Sequence, residues 1–519
     1  MKFYILKDIF QMVNDKRNSS KLNAWTSVVA YLNWLLKCVS CFGKIIPLDE
    51  EIREDDFAAI LGKPEAIFLS SHNTGKDIRW SKIPRRTLNL SLGGLLNPEG
   101  LLTAKYQSHA QIELVSTQFQ LEQLKYYFND SVPEMSVFPP KVDTDFYVPP
   151  DINQRLVARQ KEGIRERQLH IVYAGRWIVT KGICQLIRIL DIWPMSNIVL
   201  TLVGDVEYNN NFDFSFAQHS TFMHFLNEEI LQRERRSWLR LHPAKDKKAL
   251  RELFWSADFF VNPSVQPDEN FGITPREALS CGVPVITTNF CGLRPLAESL
   301  PWKGVDTYPS LFGSRFSLKQ FQAVLLEAIR KCKLLSPKQY HNIIIKECDV
   351  ATSMKRLRWA IDYLKNKAAE KSIDIRKTKC EIKKRLYRCI DGRVFNNFIN
   401  TMIELPKGNY VYGDCPSDRR LPIIQGIYSA KSTPPEVQRG SKWRGFFRIV
   451  LWEKERAILE FGFPGPRVRR YPRGLWSSLI NCSNPQKSPN EYVFIPKDKT
   501  QISIVQELVD LGYLVSDDY

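Results

Sequence analysis

Glu269 and Glu277, two carboxylates eight positions apart, lie in a segment whose flanks predict a ligand-binding loop. The apolar run 257–264 before them is typical of a buried strand, and the run 283–287 after them is typical of a second one. Pro275 fits the first turn of a helix, because the N–H that proline lacks would be unpaired there. This pattern predicts Glu269 in the loop after the first strand and Glu277 on the first helical turn.

A loop at the carboxyl end of a strand is the place where open α/β sheets bind ligands. Gly282 fits the left-handed residue that commonly ends a helix. Two acceptor-only carboxylates beside a flexible Gly272 could hold a polyhydroxy ligand. The alternative is that two surface glutamates flank an ordinary loop, and their spacing alone does not separate these interpretations.

Two cations lie upstream in a second strand, loop and helix pattern. Residues 170–175 are typical of a strand, 176–182 of a loop, and 183–190 of the start of a helix. Arg176 can offer a planar fork to phosphate oxygens, Lys181 adds a compact charge, and the helix amino terminus adds unpaired N–H groups. These groups suit a diphosphate that gains negative charge as it leaves. A basic loop with solvated charges is the alternative.

The Glu-x7-Glu spacing around Asn-Phe-Gly-Ile, followed by Glu-Ala-Leu-Ser-Cys-Gly-Val-Pro-Val-Ile, resembles the signature of glycosyltransferase family 4. The Gly-Arg and Lys-Gly pairs of 175–182 are similar to the donor-phosphate loop of the same family. The resemblance implies an α/β fold of the GT-B type, in which two Rossmann-like domains face a cleft. It is good over 120–370, loose over 1–120, and ends near residue 370.

The resemblance also implies roles for single residues. Glu277 would accept hydrogen bonds from the ribose of a sugar nucleotide, and Glu269 would steady charge at the anomeric carbon of the donor sugar. Arg176 and Lys181 would hold the diphosphate, so the predicted catalytic residues are Glu269, Arg176 and Lys181. The predicted donor-binding residues are Glu277, Gly175, Phe271, Gly272, Ile273, Thr274, Gly204 and His72.

The amino-terminal half departs from the family pattern. Family members usually carry a glycine-rich loop after the first strand, where this chain has 7–16 without glycine. Many also carry a histidine after the strand that corresponds to 87–94, where this chain has none. His72, one strand earlier, could face the cleft or lie on the surface. Gly93 and Gly94 could allow close approach of a ligand or make a turn.

Three domains are predicted: a shortened Rossmann-like acceptor domain at 1–145, a nucleotide-sugar domain at 146–370 with a closing helix near its end, and a basic α+β accessory domain at 371–519. The length of 519 residues fits this number at about 150 residues per domain. Asp143-Thr144-Asp145 mimics a metal motif, but its place after a Pro-Pro turn favours a hinge, and no metal site is predicted.

The stretch 22–42 has apolar residues at helical spacing. Core packing is one interpretation, and a membrane-surface helix is the other, because lysines and arginines flank or interrupt the stretch. Cys38 and Cys41 form a lone Cys-x-x-Cys, which favours two apolar thiols on one helix face over a metal site.

The accessory region 371–519 carries 26 Lys+Arg against 16 Asp+Glu, which is +10 of the chain's net charge of +18. Its cations cluster at 376–388 and 467–473, and 446–452 and 457–461 are typical of two paired strands. A basic surface could bind anionic lipid headgroups, nucleic acid or an anionic glycan, or be merely solvated. Without a nucleic-acid-binding motif, we do not expect nucleic acid as a partner.

The composition fits a folded enzyme, with 44% hydrophobic and 12% aromatic residues. No apolar run reaches the roughly 18 residues that span a bilayer, and the charged start does not fit a secretion signal. The cysteines lack a disulfide framework, which favours free thiols in a reducing compartment. We expect a cytoplasmic protein, with peripheral association at the inner membrane face as an analogy from family and charge.

These observations together predict a retaining, hexosyltransferase-type glycosyltransferase of polysaccharide or glycolipid synthesis. The donor would be a UDP-, GDP- or ADP-linked sugar, the acceptor a hydroxyl of a glycan or lipid-linked molecule, and no cofactor is predicted. No residue stands out as a nucleophile. The alternatives are a non-catalytic sugar-nucleotide-binding or scaffold protein and an enzyme that uses a sugar-phosphate donor.

Overall fold

The structure of the protein is a computed structural model. It describes residues 1–14, 25–49, 51–71, 86–90, 111–128, 134–177, 181–183, 185–187, 197–204, 238–266, 269–310, 313–366, 436–446, 448–453, 456–461, 467–472, 483–485, 491–510 and 514–516. His72, Gly93, Gly94 and the basic cluster 376–388 lie outside the described residues.

The amino-terminal domain is built on a six-stranded parallel sheet in the order β2-β1-β3-β4-β5-β6. Its strands are β1 (Lys2–Leu6), β2 (Lys44–Leu48), β3 (Ala66–Ser71), β4 (Thr87–Leu90), β5 (Gln111–Val115) and β6 (Glu134–Val137). Its helices are α1 (Lys7–Asn14), α2 (Trp25–Ser40), α3 (Glu54–Leu61) and α4 (Gln118–Phe128). Helix α1 follows β1 directly, where family members usually have the glycine-rich loop.

Helix α2 packs into the core of this domain. Leu32, Leu36 and Val39 are buried in the same hydrophobic cluster as the sheet, which supports the core interpretation of this stretch. Cys38 is buried, but Cys41 lies beyond the helix end and is exposed. The prediction of two thiols on one apolar face is therefore wrong, because the helix stops before Cys41.

The second domain contains a five-stranded parallel sheet in the order β11-β10-β7-β8-β9. Its strands are β7 (Leu169–Ala174), β8 (Ile198–Val203), β9 (Leu239–His242), β10 (Phe259–Asn262) and β11 (Val285–Thr287). Its helices include α5 (Ile152–Lys161), α6 (Lys247–Ser256), α7 (Ile273–Ser280), α8 (Arg294–Glu298), α9 (Leu318–Lys331) and α10 (Pro337–Glu347), and a hairpin joins β12 (Tyr308–Ser310) to β13 (Gly313–Arg315). The predicted α/β class, with a parallel sheet in each of the first two domains, is confirmed.

A short segment after β6 leads from one core to the other. Phe138 is buried in the amino-terminal core and Val142 in the second core. The carbonyl of Asp143 accepts hydrogen bonds from the N–H groups of Phe146 and Tyr147, at 3.1 and 2.8 Å, so the Asp-Thr-Asp sequence forms a turn. Over the described residues, no three potential metal ligands come together.

Helix α11 (Val350–Asn366) returns the chain to the amino-terminal domain. Leu357, Ile361 and Leu364 are buried in the core that also contains β1, β3 and β4. The guanidinium of Arg86 donates a hydrogen bond to the carbonyl of Leu364 at 2.8 Å. Helix α11 therefore packs against the amino-terminal domain.

The accessory region contains short antiparallel strands. One sheet joins β14 (Trp443–Phe446), β18 (Ser483–Pro485), β19 (Glu491–Phe494) and β20 (Leu514–Ser516), and a second joins β15 (Arg448–Glu453), β16 (Arg456–Phe461) and β17 (Arg467–Pro472). The predicted pairing of two strands is confirmed in β15 and β16. Helix α12 (Lys499–Asp510) follows β19 near the end of the chain. Within the described residues, no helix has the length and hydropathy needed to cross a bilayer.

We predict that Ile361→Ala destabilises the amino-terminal sheet by about 2–4 kcal/mol, because the isoleucine side chain is 1% exposed in its core. Urea unfolding measures the loss of unfolding free energy. Faster amide hydrogen exchange in residues 111–115 would show that the loss affects the amino-terminal sheet. Ile345→Ala on α10 is the matched control, because Ile345 is 44% exposed. Equal destabilisation by the two changes would contradict the placement of α11.

Candidate functional site

Helix α7 carries the second carboxylate of the Glu-x7-Glu motif. It begins at Ile273, after Gly272 with a left-handed φ of 73°, and Gly282 with a φ of 77° follows its carboxyl end. Pro275 lies in the first turn, as predicted. Glu277 lies on the second turn rather than the first, because the left-handed glycine starts the helix before the proline.

Gly272 adopts its left-handed backbone conformation in a crowded position. A Cβ at this position would lie 2.4 Å from Cδ2 of Leu293. The N–H of Gly292 donates a hydrogen bond to the carbonyl of Glu269 at 2.8 Å. A Cβ on Gly292 would lie 1.8 Å from the carbonyl oxygen of Asn270. The turn after β11 therefore holds the loop that carries Glu269.

An ion pair joins the two predicted motifs. The Nζ atom of Lys181 lies 2.5 Å from Oε2 of Glu269. Because β7 and β10 are parallel neighbours, the loops that follow them meet at the same edge of the sheet. Only 13% of the lysine side chain and 9% of the glutamate side chain are exposed. Lys181 is thus largely buried and ion-paired, which argues against the alternative of a basic loop with solvated charges.

The environment of Glu269 keeps its carboxyl ionised. Burial acts to raise its pKa, but the Lys181 ammonium, a hydrogen bond from Ser264 and the Arg176 guanidinium together hold the pKa below its ordinary value. The hydroxyl of Tyr173 donates to the backbone carbonyl of Arg176 at 2.9 Å, which fixes the start of the loop against the end of β7. Two cations therefore surround one carboxylate, and the group carries a net positive charge.

Glycines allow the loops to approach one another. Gly182 has a φ of 73°, and a Cβ there would lie 2.5 Å from the carbonyl oxygen of Pro263, directly after β10. Gly204 ends β8, and its Cβ would lie 2.0 Å from the carbonyl oxygen of Gly175. The N–H of Leu186 donates to the carbonyl of Gly182 at 2.9 Å, so a helical turn begins directly after the cationic loop. Gly182 and the two predicted donor-binding glycines, Gly175 and Gly204, therefore lie at the sheet edge that carries the ion pair.

Glu277 lies in a different environment, beside Tyr147. Burial raises the pKa of the Glu277 carboxyl to about 7, although a hydrogen bond with the Tyr147 hydroxyl and the charge of Lys247 favour its ionised form. The hydroxyl of Ser280 donates to the backbone carbonyl of Tyr147 at 2.6 Å, which ties the tyrosine to the end of α7. Sequence reasoning missed Tyr147, because no short spacing links it to the motif.

The buried Arg276 holds the motif helix α7 against α10. Its fully buried guanidinium donates to both carboxylate oxygens of Glu347, at 2.8 and 2.5 Å, and lies 3.8 Å from the ring centroid of Phe271. These contacts pack α7 against α10 and bury the Phe271 side chain. Phe271 can therefore offer only its backbone to a ligand.

The structure brings Arg176, Lys181 and Glu269 together and places Glu277 on the helix that follows. Gly272 is buried, and Ile273 and Thr274 are half-buried at the start of that helix. Of the predicted donor-binding residues, His72 alone lies outside the described part of the chain. The arrangement combines a cationic group that suits phosphate with a second carboxylate that can accept hydrogen bonds.

Comparison with known proteins relates this segment to glycosyltransferases. A family model described as glycosyl transferases group 1 matches residues 154–300. A D-inositol 3-phosphate glycosyltransferase of Xylanimonas cellulosilytica is 27% identical over 210 residues, which cover 40% of this chain and 47% of that protein. The lipopolysaccharide glucosyltransferase WaaG of Escherichia coli is 25% identical over 249 residues, which cover 45% of this chain and 60% of WaaG. The chain spans about half the length of the curated relatives that it matches.

Among solved structures, Anabaena Alr3699/HepE in complex with UDP and glucose is 13% identical, with a TM-score of 0.48 over 70% of this chain and 99% of that chain. The protein is thus an α/β protein with two cations and a carboxylate at one sheet edge. The family match includes both motif loops and the ion pair. Residues 154–300 are therefore similar to the group 1 glycosyl transferases.

We predict that Glu277→Gln stabilises the ligand-free protein at pH 8 but not at pH 5. The folded-state pKa of about 7 lies above the ordinary value, so the folded protein binds more protons between these two values than the unfolded chain. The stability that the protonated carboxyl contributes is present at low pH and lost as pH rises through about 7. Glutamine avoids this loss, which we expect to be on the order of 2 kcal/mol.

Urea unfolding at pH 5 and pH 8 measures this difference for the wild type and for Glu277→Gln. Glu51→Gln, at an exposed position, is the control and should show no such pH dependence. A constant difference between wild type and Glu277→Gln at the two pH values would contradict the assigned environment.

We also predict that Lys181→Met costs about 3 kcal/mol of stability, because it leaves the buried Glu269 carboxylate without its partner. The double variant Lys181→Met/Glu269→Gln should recover most of this loss, since neither charge then remains. A double-mutant cycle in urea measures the coupling. Additive losses would show that the two side chains do not pair in solution.

Proposed function

We propose that this protein is a retaining glycosyltransferase that moves a sugar from a nucleoside-diphosphate sugar to a hydroxyl acceptor. The observation that carries this proposal is the group of Arg176, Lys181 and the buried Glu269 at the edge of the second sheet, within the segment that the group 1 model matches. Its net positive charge suits a diphosphate leaving group, whose negative charge grows as the glycosidic bond breaks.

In the proposed reaction, the bond between the anomeric carbon and the diphosphate oxygen breaks, and the acceptor oxygen bonds to that carbon on the same face. The proton of the acceptor hydroxyl passes to the departing phosphate oxygen. Arg176 and Lys181 offset the charge on the diphosphate, and an ammonium has three N–H donors, so Lys181 can contact Glu269 and a phosphate oxygen together. Glu269, held ionised, stabilises the positive charge that develops at the anomeric carbon.

Glu277 is proposed to accept hydrogen bonds from the ribose hydroxyls of the donor. Its carboxylate form can accept from both hydroxyls, whereas the protonated form loses part of that capacity. With a pKa of about 7, the carboxyl is increasingly ionised as pH rises through neutrality. Donor affinity should therefore increase between about pH 6 and pH 8, and Tyr147 positions the carboxylate for this contact.

The remaining parts of the proposal concern the partners. The donor is UDP-, GDP- or ADP-linked, the first domain receives a glycan or lipid-linked acceptor, and the product belongs to polysaccharide or glycolipid synthesis. The names of the relatives, which contain inositol 3-phosphate and lipopolysaccharide, support an acceptor that bears hydroxyl groups. A cytoplasmic protein at the inner membrane face fits these acceptors and the net charge of +18.

A thermal-shift screen of the full chain against UDP, GDP, ADP and their sugars tests the donor site. A nucleotide at about 100 times its dissociation constant adds about 2.7 kcal/mol to the native state, which raises Tm measurably. We expect one nucleotide to give a shift that Glu277→Ala abolishes and Glu51→Ala preserves. Release of free nucleoside diphosphate from the matching sugar then establishes turnover.

The same screen contains the outcomes that would overturn the proposal. A nucleotide shift without any turnover would favour the non-catalytic binding protein. No shift with any nucleotide, together with turnover of a sugar phosphate, would favour the sugar-phosphate donor. An unchanged shift in Glu277→Ala would remove Glu277 from the donor site.

A further inference from the structure

Helix α4 of the amino-terminal domain contacts the second domain through a buried aromatic ring. Phe119, on the first turn of α4, is 6% exposed and packs with Phe290 and Cys291 of the turn 290–294, which follows β11. Among the described residues, these three side chains form a hydrophobic cluster that is separate from the cores of the two domains. The cluster therefore joins the domains at a point distinct from the connecting segment 138–142.

The start of α4 holds Phe119 in a defined position. The N–H and the hydroxyl of Ser116 both donate to the side-chain carbonyl of Gln120 at 2.9 Å. The N–H of Gln120 donates to the hydroxyl of Thr117 at 3.1 Å, so Thr117 caps the helix. All three polar residues are buried. The Phe119 ring is therefore presented to the second domain by a well-fixed helix end.

A cation of the second domain adds to this contact. The guanidinium of Arg294 lies 5.1 Å from the ring centroid of Phe119, within the range of a cation–π interaction. The Nε atom of Arg294 donates to Oε1 of Glu298 at 2.8 Å, which orients the guanidinium. Phe119 thus contacts both apolar and charged groups of the turn 290–294.

The turn 290–294 also holds the loop of Glu269. The N–H of Gly292 donates to the backbone carbonyl of Glu269 at 2.8 Å. Cys291, the residue before Gly292, has a left-handed φ of 46°, which a non-glycine residue keeps only where the surrounding structure holds it. Because Phe119 packs on this strained residue, it supports the backbone that fixes Glu269.

We propose that Phe119 is a positioning residue for Glu269, although the two residues lie in different domains. Phe119 packs on Cys291, and the next residue, Gly292, bonds to the carbonyl of Glu269. The Glu269 side chain in turn pairs with Lys181. The geometry of the ion pair therefore depends on contact between the domains, and the role of this dependence in catalysis rests on the proposed function.

Alkylation of the native full chain by N-ethylmaleimide, followed by peptide mass spectrometry, tests the domain contact without any nucleotide. Cys291 is 3% exposed in contact with Phe119, and Cys281, which is 1% exposed in the second domain, is the internal reference. In Phe119→Ala, the alkylation rate of Cys291 should rise at least about tenfold, because removal of the ring allows the turn to open locally. The alkylation rate of Cys281 should stay the same.

A double-mutant cycle in urea tests the effect of Phe119 on the ion pair. Lys181→Met should lower the urea midpoint only about half as much in Phe119→Ala as in the wild type, because the pair is already weakened there. With the sugar nucleotide that the donor screen identifies, Phe119→Ala should lower kcat for nucleoside-diphosphate release at least about tenfold. The Kd of the nucleotide should stay the same, because Phe119 acts through Glu269 rather than on the diphosphate.

Phe57→Ala is the matched control, because Phe57 is fully buried in the core of the amino-terminal domain and belongs to another hydrophobic cluster. It should lower Tm but leave the alkylation ratio of Cys291 to Cys281, the effect of Lys181→Met and kcat as in the wild type. Phe119→Leu and Phe57→Leu are a milder pair for the same comparison if an alanine variant does not fold.

Three results would overturn the proposal. Equal alkylation of Cys291 in the wild type and Phe119→Ala would show that the domain contact is absent in solution. Additive losses in the double-mutant cycle would show that the contact does not reach the ion pair. An equal loss of kcat in Phe119→Ala and Phe57→Ala would assign the effect to general destabilisation. If no sugar nucleotide is turned over, the proposed function fails, whereas alkylation and the urea cycle still decide whether Phe119 positions Glu269.

Discussion

The contact between Lys181 and Glu269 is the interaction on which the geometry of the candidate site depends. Burying both charges costs several kcal/mol, which their attraction offsets only when the geometry is good. Such a pair is weak evidence for stability, and its place at the sheet edge fits the proposed donor site. Lys181 neutralises the charge of Glu269, and Arg176 then gives the group of three a net positive charge.

Several less conspicuous features make that contact possible. Gly182 lets the first loop lie on Pro263, and the turn that contains Gly292 holds the backbone of Glu269. The buried Arg276 joins α7 to α10 through its two hydrogen bonds to Glu347. The two loops are therefore positioned by backbone contacts and buried hydrogen bonds before any ligand is present, which is the preorganisation that electrostatic catalysis needs.

The two carboxylates of the motif lie in opposite electrostatic environments. Cations hold the pKa of Glu269 low, whereas burial raises the pKa of Glu277 to about 7. Groups whose surroundings separate their pKa values in this way commonly have separate roles. Glu269 suits a permanent negative charge near developing positive charge, and Glu277 suits hydrogen-bond acceptance that depends on pH.

The sequence by itself determined the local elements, because hydrophobic periodicity, Pro275 and Gly282 act over a few residues. The strands and helices of the second domain were predictable on that basis, whereas the closing role of α11 was predicted from the family resemblance. Only the tertiary structure decided that Lys181 meets Glu269, since this requires β7 beside β10, and strand order depends on how the crossing helices pack. Three other contacts also join residues that are distant in the sequence, and no short-range pattern predicts them. They are the contacts of Tyr147 with Glu277, of Arg276 with Glu347, and of Leu293 with Gly272.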